Sequence, residues 1–400
     1  MRVEDKTPFK GGGFYNLTSN VQNNTLLNRG LVDIGGCAIP QALMSNNRDE
    51  AIERATMSAF YFSLSFFTPF FLLPLFNKKA LFSQGIVKDF SNKEKKIMQV
   101  SKKYLTKGAD YLVEGIREKG KELKCEKDFE NILNRFTDKN DLHKKLSKAH
   151  EIVFRNDFLS TAWMWCSVPY IATGITEKRT NKKGFSASFD LTDQSKIDEN
   201  KYKRDKRNKL ITSALIATIP PILAPKYIMR GITGKNNSLL KKYASEFDYS
   251  KGMFMSKSIF ALMWGLCDYP SSLVSSRDKN ELKDRAIRLG ALFVMFFGGD
   301  FVMNNIFGRI ADKFAKTKIM NTDNINKDAG FFKRFKLMPR NFNKLDNLNV
   351  DAKTLRKTKN IGAVLYWASL FSNMALIGFA LPAGLNKMLR KNIQKEKQNS

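Results

Sequence analysis

Residues 57–76, MSAFYFSLSFFTPFFLLPLF, hold no charged side chain, and this run constrains the fold more than any other stretch. Arg54 stands just before it, and Lys78 and Lys79 just after. At 1.5 Å rise per residue, about 20 apolar residues in a helix match the roughly 30 Å hydrocarbon core of a bilayer. A helix packed into a soluble core keeps a polar stripe at the helical period, and this run has only scattered Ser and Thr. It reads as a membrane span.

Five more apolar stretches read as spans, three of them with a single charged residue (Lys226, Asp268 or Asp300): 158–176, 210–229, 258–276, 289–308 and 361–385. The expected fold is all-α, a multi-pass helical membrane protein of about six spans. The chain divides into a polar N-terminal segment (1–54), a first span (55–77) and a basic, amphipathic-helical extramembrane domain (78–157). A span pair joined by a basic loop (158–229) and a second pair (258–308) come next. A basic loop (309–359), a sixth span (360–386) and a basic tail (387–400) complete the order. The span at 258–276 is the weakest and is a candidate re-entrant segment, because it contains Asp268 and Pro270.

Composition fits once charge is segregated from the spans. The 400 residues carry 68 Lys and Arg against 38 Asp and Glu, a net charge of +30. The mean hydropathy of −0.35 is low for a multi-pass chain, so the loops must be strongly polar. Such a basic surplus suits anionic lipid headgroups or nucleic acid. Beside membrane spans headgroups are the nearer partner, and each Lys or Arg at such a surface contributes on the order of 1 kcal/mol. No RNP, zinc-finger or helix-turn-helix pattern supports nucleic acid. The loops are basic on both sides of the alternation, so the positive-inside rule assigns no orientation.

Within 78–157, Phe129, Ile132, Leu133 and Phe136 share one helix face, and Leu142, Leu146 and Val153 mark another. Ser91 and Glu94 have capping-box spacing, and Gly108 is a candidate helix stop. These faces either pack together as a small helical domain or lie flat on the bilayer.

Several chemistries lack support. The four cysteines form no C-x-x-C pair, so neither a disulfide framework nor a zinc site is expected. His143 and His150 are seven apart with no third ligand in register. Gly11–Gly12–Gly13 lacks the following Lys and Ser or Thr of a phosphate loop. No nucleophile sits in a G-x-S-x-G setting, and residues 1–50 lack the apolar core of a cleavable signal. The chain reads as a non-enzyme without cofactor.

Trp163-x-x-Cys166-x-x-Pro169 matches Trp264-x-x-Cys267-x-x-Pro270. Downstream, Lys209-Leu210 matches Arg288-Leu289, and Arg230 matches Arg309 at equal spacing. The second and third spans thus read as duplicated in the fourth and fifth, with Asp268 at the place of Ser167 and Asp300 at that of Pro221. Asp268 and Asp300, with Asn304 one turn later, form the candidate intramembrane polar site. A charged Asp at mid-bilayer costs roughly 2.5–3.5 kcal/mol, so such residues call for a reason. That reason is either an ion or proton site or a structural one, Asp268 capping a broken helix and Asp300 pairing with a base. The expected function is a membrane scaffold or interaction protein. The alternatives are an ion- or proton-coupled transporter or channel using Asp268 and Asp300, and a membrane enzyme, for which no motif speaks.

Overall fold

The computed structural model describes residues 13–88, 93–100, 102–233, 257–295, 298, 300–320 and 348–398. Among the described residues it is all-helical, 86% helix without strands. In chain order the helices are α1 (Gly13–Asn23), α2 (Thr25–Arg29), α3 (Ile39–Leu43), α4 (Arg48–Phe67), α5 (Leu73–Ser83), α6 (Lys102–Lys107), α7 (Ala109–Leu123) and α8 (Glu126–Arg135). They continue with α9 (Lys139–Thr180), α10 (Glu199–Thr233), α11 (Lys257–Met263), α12 (Tyr269–Val274), α13 (Lys279–Val294), α14 (Asp300–Ala315), α15 (Ala352–Asn373) and α16 (Leu381–Gln398).

Side chains set many of the ends. Asn24 caps α2, Asp138 caps α9 and Asp351 caps α15, each carboxyl or amide oxygen accepting a backbone N–H of the first turn. Lys124 and Asn181 end α7 and α9 in the left-handed conformation. Wide π-helical turns occupy Gly30–Ala38, Thr68–Leu72, Trp264–Asp268 and Met374–Ala380. All four run directly into a helix whose second residue is proline: Pro40, Pro74, Pro270 and Pro382. Proline removes an N–H and its ring crowds the preceding turn, and widening that turn relieves the clash.

Among the described residues three stretches, fewer than the six expected, are long and apolar enough to cross a bilayer: Arg48–Ser83, Glu199–Thr233 and Ala352–Lys395. The shortfall has local causes. Residues 158–176 form the second half of the 42-residue helix α9, where Ser, Thr and buried Trp165 and Thr173 dilute the apolar run. Around Asp268 only the short apolar helix Ile259–Val274 forms, because the chain turns at Ser275 and Ser276. The stretch 289–308 passes through residues outside those described.

The chain separates into two compact units, residues 59–285 and residues 1–58 with 286–400. In the first, α9 is the central rod, about 63 Å long at the helical rise. Its first half buries Leu142, Leu146, Val153 and Phe154, while α7 and α8 bury Leu112, Ile116, Phe129 and Ile132. The apolar faces of 78–157 are therefore spent inside the protein rather than offered to a bilayer. Ser91 lies outside the described residues, and Glu94 accepts instead from Arg135 Nη2 at 3.1 Å. Gly108, at φ +110°, joins α6 to α7. The second half of α9 packs along α10, which continues as a helix through Pro220, Pro221 and Pro225.

In the other unit, α1 lies on α15. Trp367 Nε1 donates to Thr18 Oγ1 at 2.8 Å, and Tyr366 Oη to Asn28 Oδ1 at 2.7 Å. The two π-helical turns 30–38 and 374–380 meet at glycine. A Cβ on Gly378 would stand 2.7 Å from the Gly36 carbonyl oxygen and 2.8 Å from Pro40 Cβ, so only glycine fits there. Asn46 Nδ2 donates to Asn386 Oδ1 at 3.0 Å just beyond this contact.

Candidate functional site

The corner between α12 and α13 holds a buried ionic cluster. Asp278 Oδ1 accepts the Glu281 N–H at 2.8 Å, and Glu281 Oε2 reaches back to the Arg277 N–H at 2.7 Å. This is the reciprocal arrangement that satisfies helix-start N–H groups. The same carboxylate takes Arg277 Nε at 2.9 Å on Oε2 and Arg285 Nη2 at 2.6 Å on Oε1. Arg285 Nη1 donates onward to the Ser272 carbonyl at 3.1 Å and to Ser275 Oγ at 2.6 Å. Burial pushes the Glu281 carboxyl up, but Arg277 and Arg285 outweigh it and hold it down at about 2. The cluster therefore stays ionised at ordinary pH and locks α13 onto the end of α12.

Asp268 lies one proline-kinked turn earlier and is 3% exposed. Tyr61 Oη donates to its Oδ1 at 3.3 Å. An aromatic row leads away from this pair: Tyr61 on Trp165 at 4.6 Å between ring centroids, Trp165 on Phe260 at 5.6 Å and Phe260 on Trp264 at 5.4 Å. Cys166 Sγ lies 3.6 Å from the Cys267 carbonyl oxygen. The fold thus brings together the two W-x-x-C-x-x-P segments that the sequence pairs. Asp268 does not cap a helix, because its backbone is helical (φ −66°, ψ −50°) and its side chain bonds no first-turn N–H. Asp300 and Asn304 lie on α14, but their side chains, and hence any facing of Asp268 by Asp300, lie outside the described residues.

Beside the corner, an open cleft is lined by Tyr170 and Thr173 of α9, by Tyr202, Asp205, Lys206 and Lys209 of α10, and by Ser275 and Arg277. Lys206 Nζ pairs with Glu177 Oε2 at 2.6 Å, and Tyr202 Oη donates to the other oxygen of Glu177. Lys209 Nζ donates to the Ser276 carbonyl at 2.7 Å. Two cations of α10, Lys206 and Lys209, and Arg277 of the turn between α12 and α13 thus line one opening.

Among the described residues no group of three or more His, Cys, Asp and Glu side chains could hold a metal ion. His143 Nε2 meets the Leu105 carbonyl at 2.8 Å, and His150 is buried in α9.

Glu281, Arg285 and the cleft lysines were not singled out by sequence motifs, yet a signal for them exists. Glu50-x-x-Glu53-Arg54-Ala55 and Glu281-x-x-Asp284-Arg285-Ala286 have one spacing. Their geometry repeats too: the Glu50 N–H bonds Asn47 Oδ1 at 2.9 Å, Asn46 N–H bonds Glu50 Oε2 at 2.6 Å, and Arg54 Nε bonds Glu50 Oε1 at 2.7 Å. Each follows a C-x-x-P segment, Cys37–Pro40 and Cys267–Pro270. The chain matches no protein-family model, no curated protein and no solved structure.

Proposed function

We propose that this chain is an integral membrane protein of non-enzymatic, scaffold type that crosses the bilayer at least three times and holds anionic lipid headgroups with its basic segments. The surface of α10 carries this reading. Leu210, Ile211, Leu215, Ile219, Ile222 and Leu223 are each about half exposed along one helix. A large apolar side chain left in water forgoes roughly 1.5–3 kcal/mol of burial, so six on one helix favour a hydrocarbon environment over water. The turns just before them carry Lys201, Lys203, Arg204, Lys206, Arg207 and Lys209, the residues suited to a headgroup layer.

Alkaline carbonate washing of membranes tests insertion, and lipid counting in nanodiscs of mixed phosphatidylcholine and phosphatidylglycerol tests headgroup preference. The reading expects the protein in the washed pellet and phosphatidylglycerol enriched around it. Release by carbonate, or retained lipid at the bulk ratio, overturns it.

A second reading, ion- or proton-coupled transport, is favoured by one observation: Asp268 is buried in an apolar, aromatic setting with the Tyr61 hydroxyl at 3.3 Å. Its test is flux into proteoliposomes that is abolished in Asp268→Asn. Flux unchanged by that substitution removes Asp268 from the path.

A further inference from the structure

The three helices that follow C-x-x-P segments carry one polar device near their starts, and the middle copy is altered. The register that pairs Lys209-Leu210 with Arg288-Leu289 also pairs Tyr202 with Glu281, Asp205 with Asp284 and Lys206 with Arg285. In α4 the corresponding residues are Glu50, Glu53 and Arg54. In α4 and α13 the carboxylate belongs to the same helix as its arginine and is pinned by a backbone N–H. Such a carboxylate is a fixed part of the fold.

In α10 that carboxylate is missing. A tyrosine stands in its place, the cation is Lys206, and the negative charge comes from another helix, as Glu177. Glu177 is poorly placed to serve as a permanent partner. It lies in the last turn of α9, where the helix presents unpaired carbonyls and disfavours an acid. Its side chain is 17% exposed and that of Lys206 is 38% exposed, so the pair opens to solvent, unlike Glu281 with its two arginines. The altered copy is also the one that opens into the cleft, which Lys209, Arg277 and Tyr202 line as well. Around it, residues 177–209 hold eleven Lys and Arg against six Asp and Glu.

We propose that this cleft binds the phosphate group of an anionic lipid. Lys206 and Lys209 are its cations, Tyr202 is its hydroxyl donor, and the phosphate displaces Glu177 from both Lys206 and Tyr202. The exposed apolar residues that begin at Leu210 run directly from the cleft, in position for acyl chains. A tetrahedral phosphate with several acceptor oxygens suits converging ammonium and hydroxyl donors. This inference rests on the membrane reading for the source of the phosphate, but the cleft geometry does not depend on it.

The experiment uses the full chain in a neutral detergent, titrated with dihexanoyl-phosphatidylglycerol and, separately, with inorganic phosphate, with binding read by calorimetry. Wild type is expected to bind the lipid saturably at one site. Lys206→Gln with Lys209→Gln weakens binding about tenfold or more, on the scale of losing charge-assisted contacts. Glu177→Gln removes the competing carboxylate and tightens binding, an opposite sign that a misfolded variant does not produce. Lys78→Gln with Lys79→Gln removes the same charge elsewhere and leaves the affinity unchanged. No saturable binding, equal weakening by the Lys78 and Lys79 pair, or no tightening in Glu177→Gln overturns the site. Inorganic phosphate binding as tightly as the lipid, with the same variant pattern, keeps the phosphate site and overturns the lipid as its source. Nanodisc lipid counts separate the two levels: enrichment of phosphatidylglycerol untouched by the cleft variants sinks the cleft alone, and saturable binding without enrichment sinks the general membrane reading alone.

Discussion

Arg285 stands one helical turn after Glu281 and spans the α12–α13 corner, with Nη2 2.6 Å from the carboxylate and Nη1 3.1 Å from the Ser272 carbonyl. The pair is buried, with side-chain exposures of 9% and 2%. Removing one member of a buried ion pair leaves the other charged and unsolvated, which costs about 3–5 kcal/mol. Glu281→Gln is expected to lower unfolding free energy by about that amount, since it strands both Arg277 and Arg285. Thermal or denaturant unfolding in detergent reads this. A loss below about 1 kcal/mol would show that water already solvates the corner.

How much of this was legible beforehand differs from element to element. Helical content and the long charge-free runs were readable, because apolarity and length act locally. Among the described residues only three helices are long and apolar enough to cross a bilayer, whereas 158–176 and 258–276 look like spans by composition alone. Their polar members, Thr173 and Asp268 among them, are buried against other helices instead. The W-x-x-C-x-x-P pattern is visible in the sequence, but that its two copies meet, with Cys166 Sγ 3.6 Å from the Cys267 carbonyl oxygen, is encoded by no local signal. Glu281 and Arg285 escaped notice because a Glu and an Arg four apart on a polar helix start are ordinarily a solvated pair. Only the turn at Ser275, which folds α12 back over them, buries the charge. The cleft depends on Tyr170 of α9, Lys206 of α10 and Arg277 of the α12–α13 turn lining one opening, and no local pattern encodes that.

His150 sets a pH window. Burial alone pushes its imidazole down to about 4, against an ordinary value of 6.5. The unfolded chain therefore binds the extra proton first as pH falls. The stability from burying neutral His150 is fully present above about pH 6.5 and is lost progressively down to about pH 4, by at most roughly 3 kcal/mol. Melting temperature of the wild type is expected to drop across that range, and His150→Leu is expected to flatten the curve. Glu281 adds a separate, lower window. Its carboxyl is depressed from 4.5 to about 2, so its contribution holds above pH 4.5 and fades below it. A wild-type curve that is level between pH 6.5 and 4 counts against a buried neutral His150.

The glycine contact between the two π-helical turns predicts a sharp positional contrast. Gly378→Ala places a methyl 2.7 Å from a backbone oxygen that no side-chain motion can move aside. Overpacking of that kind costs about 1–3 kcal/mol. Gly174, in the interior of α9, has nothing within 4 Å of its added Cβ. Gly174→Ala is expected to be neutral or to stabilise by up to about 1 kcal/mol through helix propensity. Parallel melts of the two variants check this, and equal effects would mean that the 30–38 and 374–380 segments do not pack as described.

Tyr61 and Asp268 separate a structural acid from a working one. Asn at 268 keeps an oxygen that can accept from the Tyr61 hydroxyl at its 3.3 Å site while removing a charge from an apolar surrounding. A buried charge costs several kcal/mol unless it is well paired, so Asp268→Asn is expected to fold at least as stably as the wild type. Tyr61→Phe takes away the donor and leaves the acid less satisfied, with an expected loss of about 1–3 kcal/mol. If Asp268→Asn instead destabilises by more than about 1 kcal/mol, the carboxylate is held as a charge by its surroundings, Arg285 among them, and its place is structural. If Asp268→Asn is stable but abolishes flux in proteoliposomes, the fold carries an acid at a cost that only its chemistry explains, because scaffolding alone would tolerate the amide.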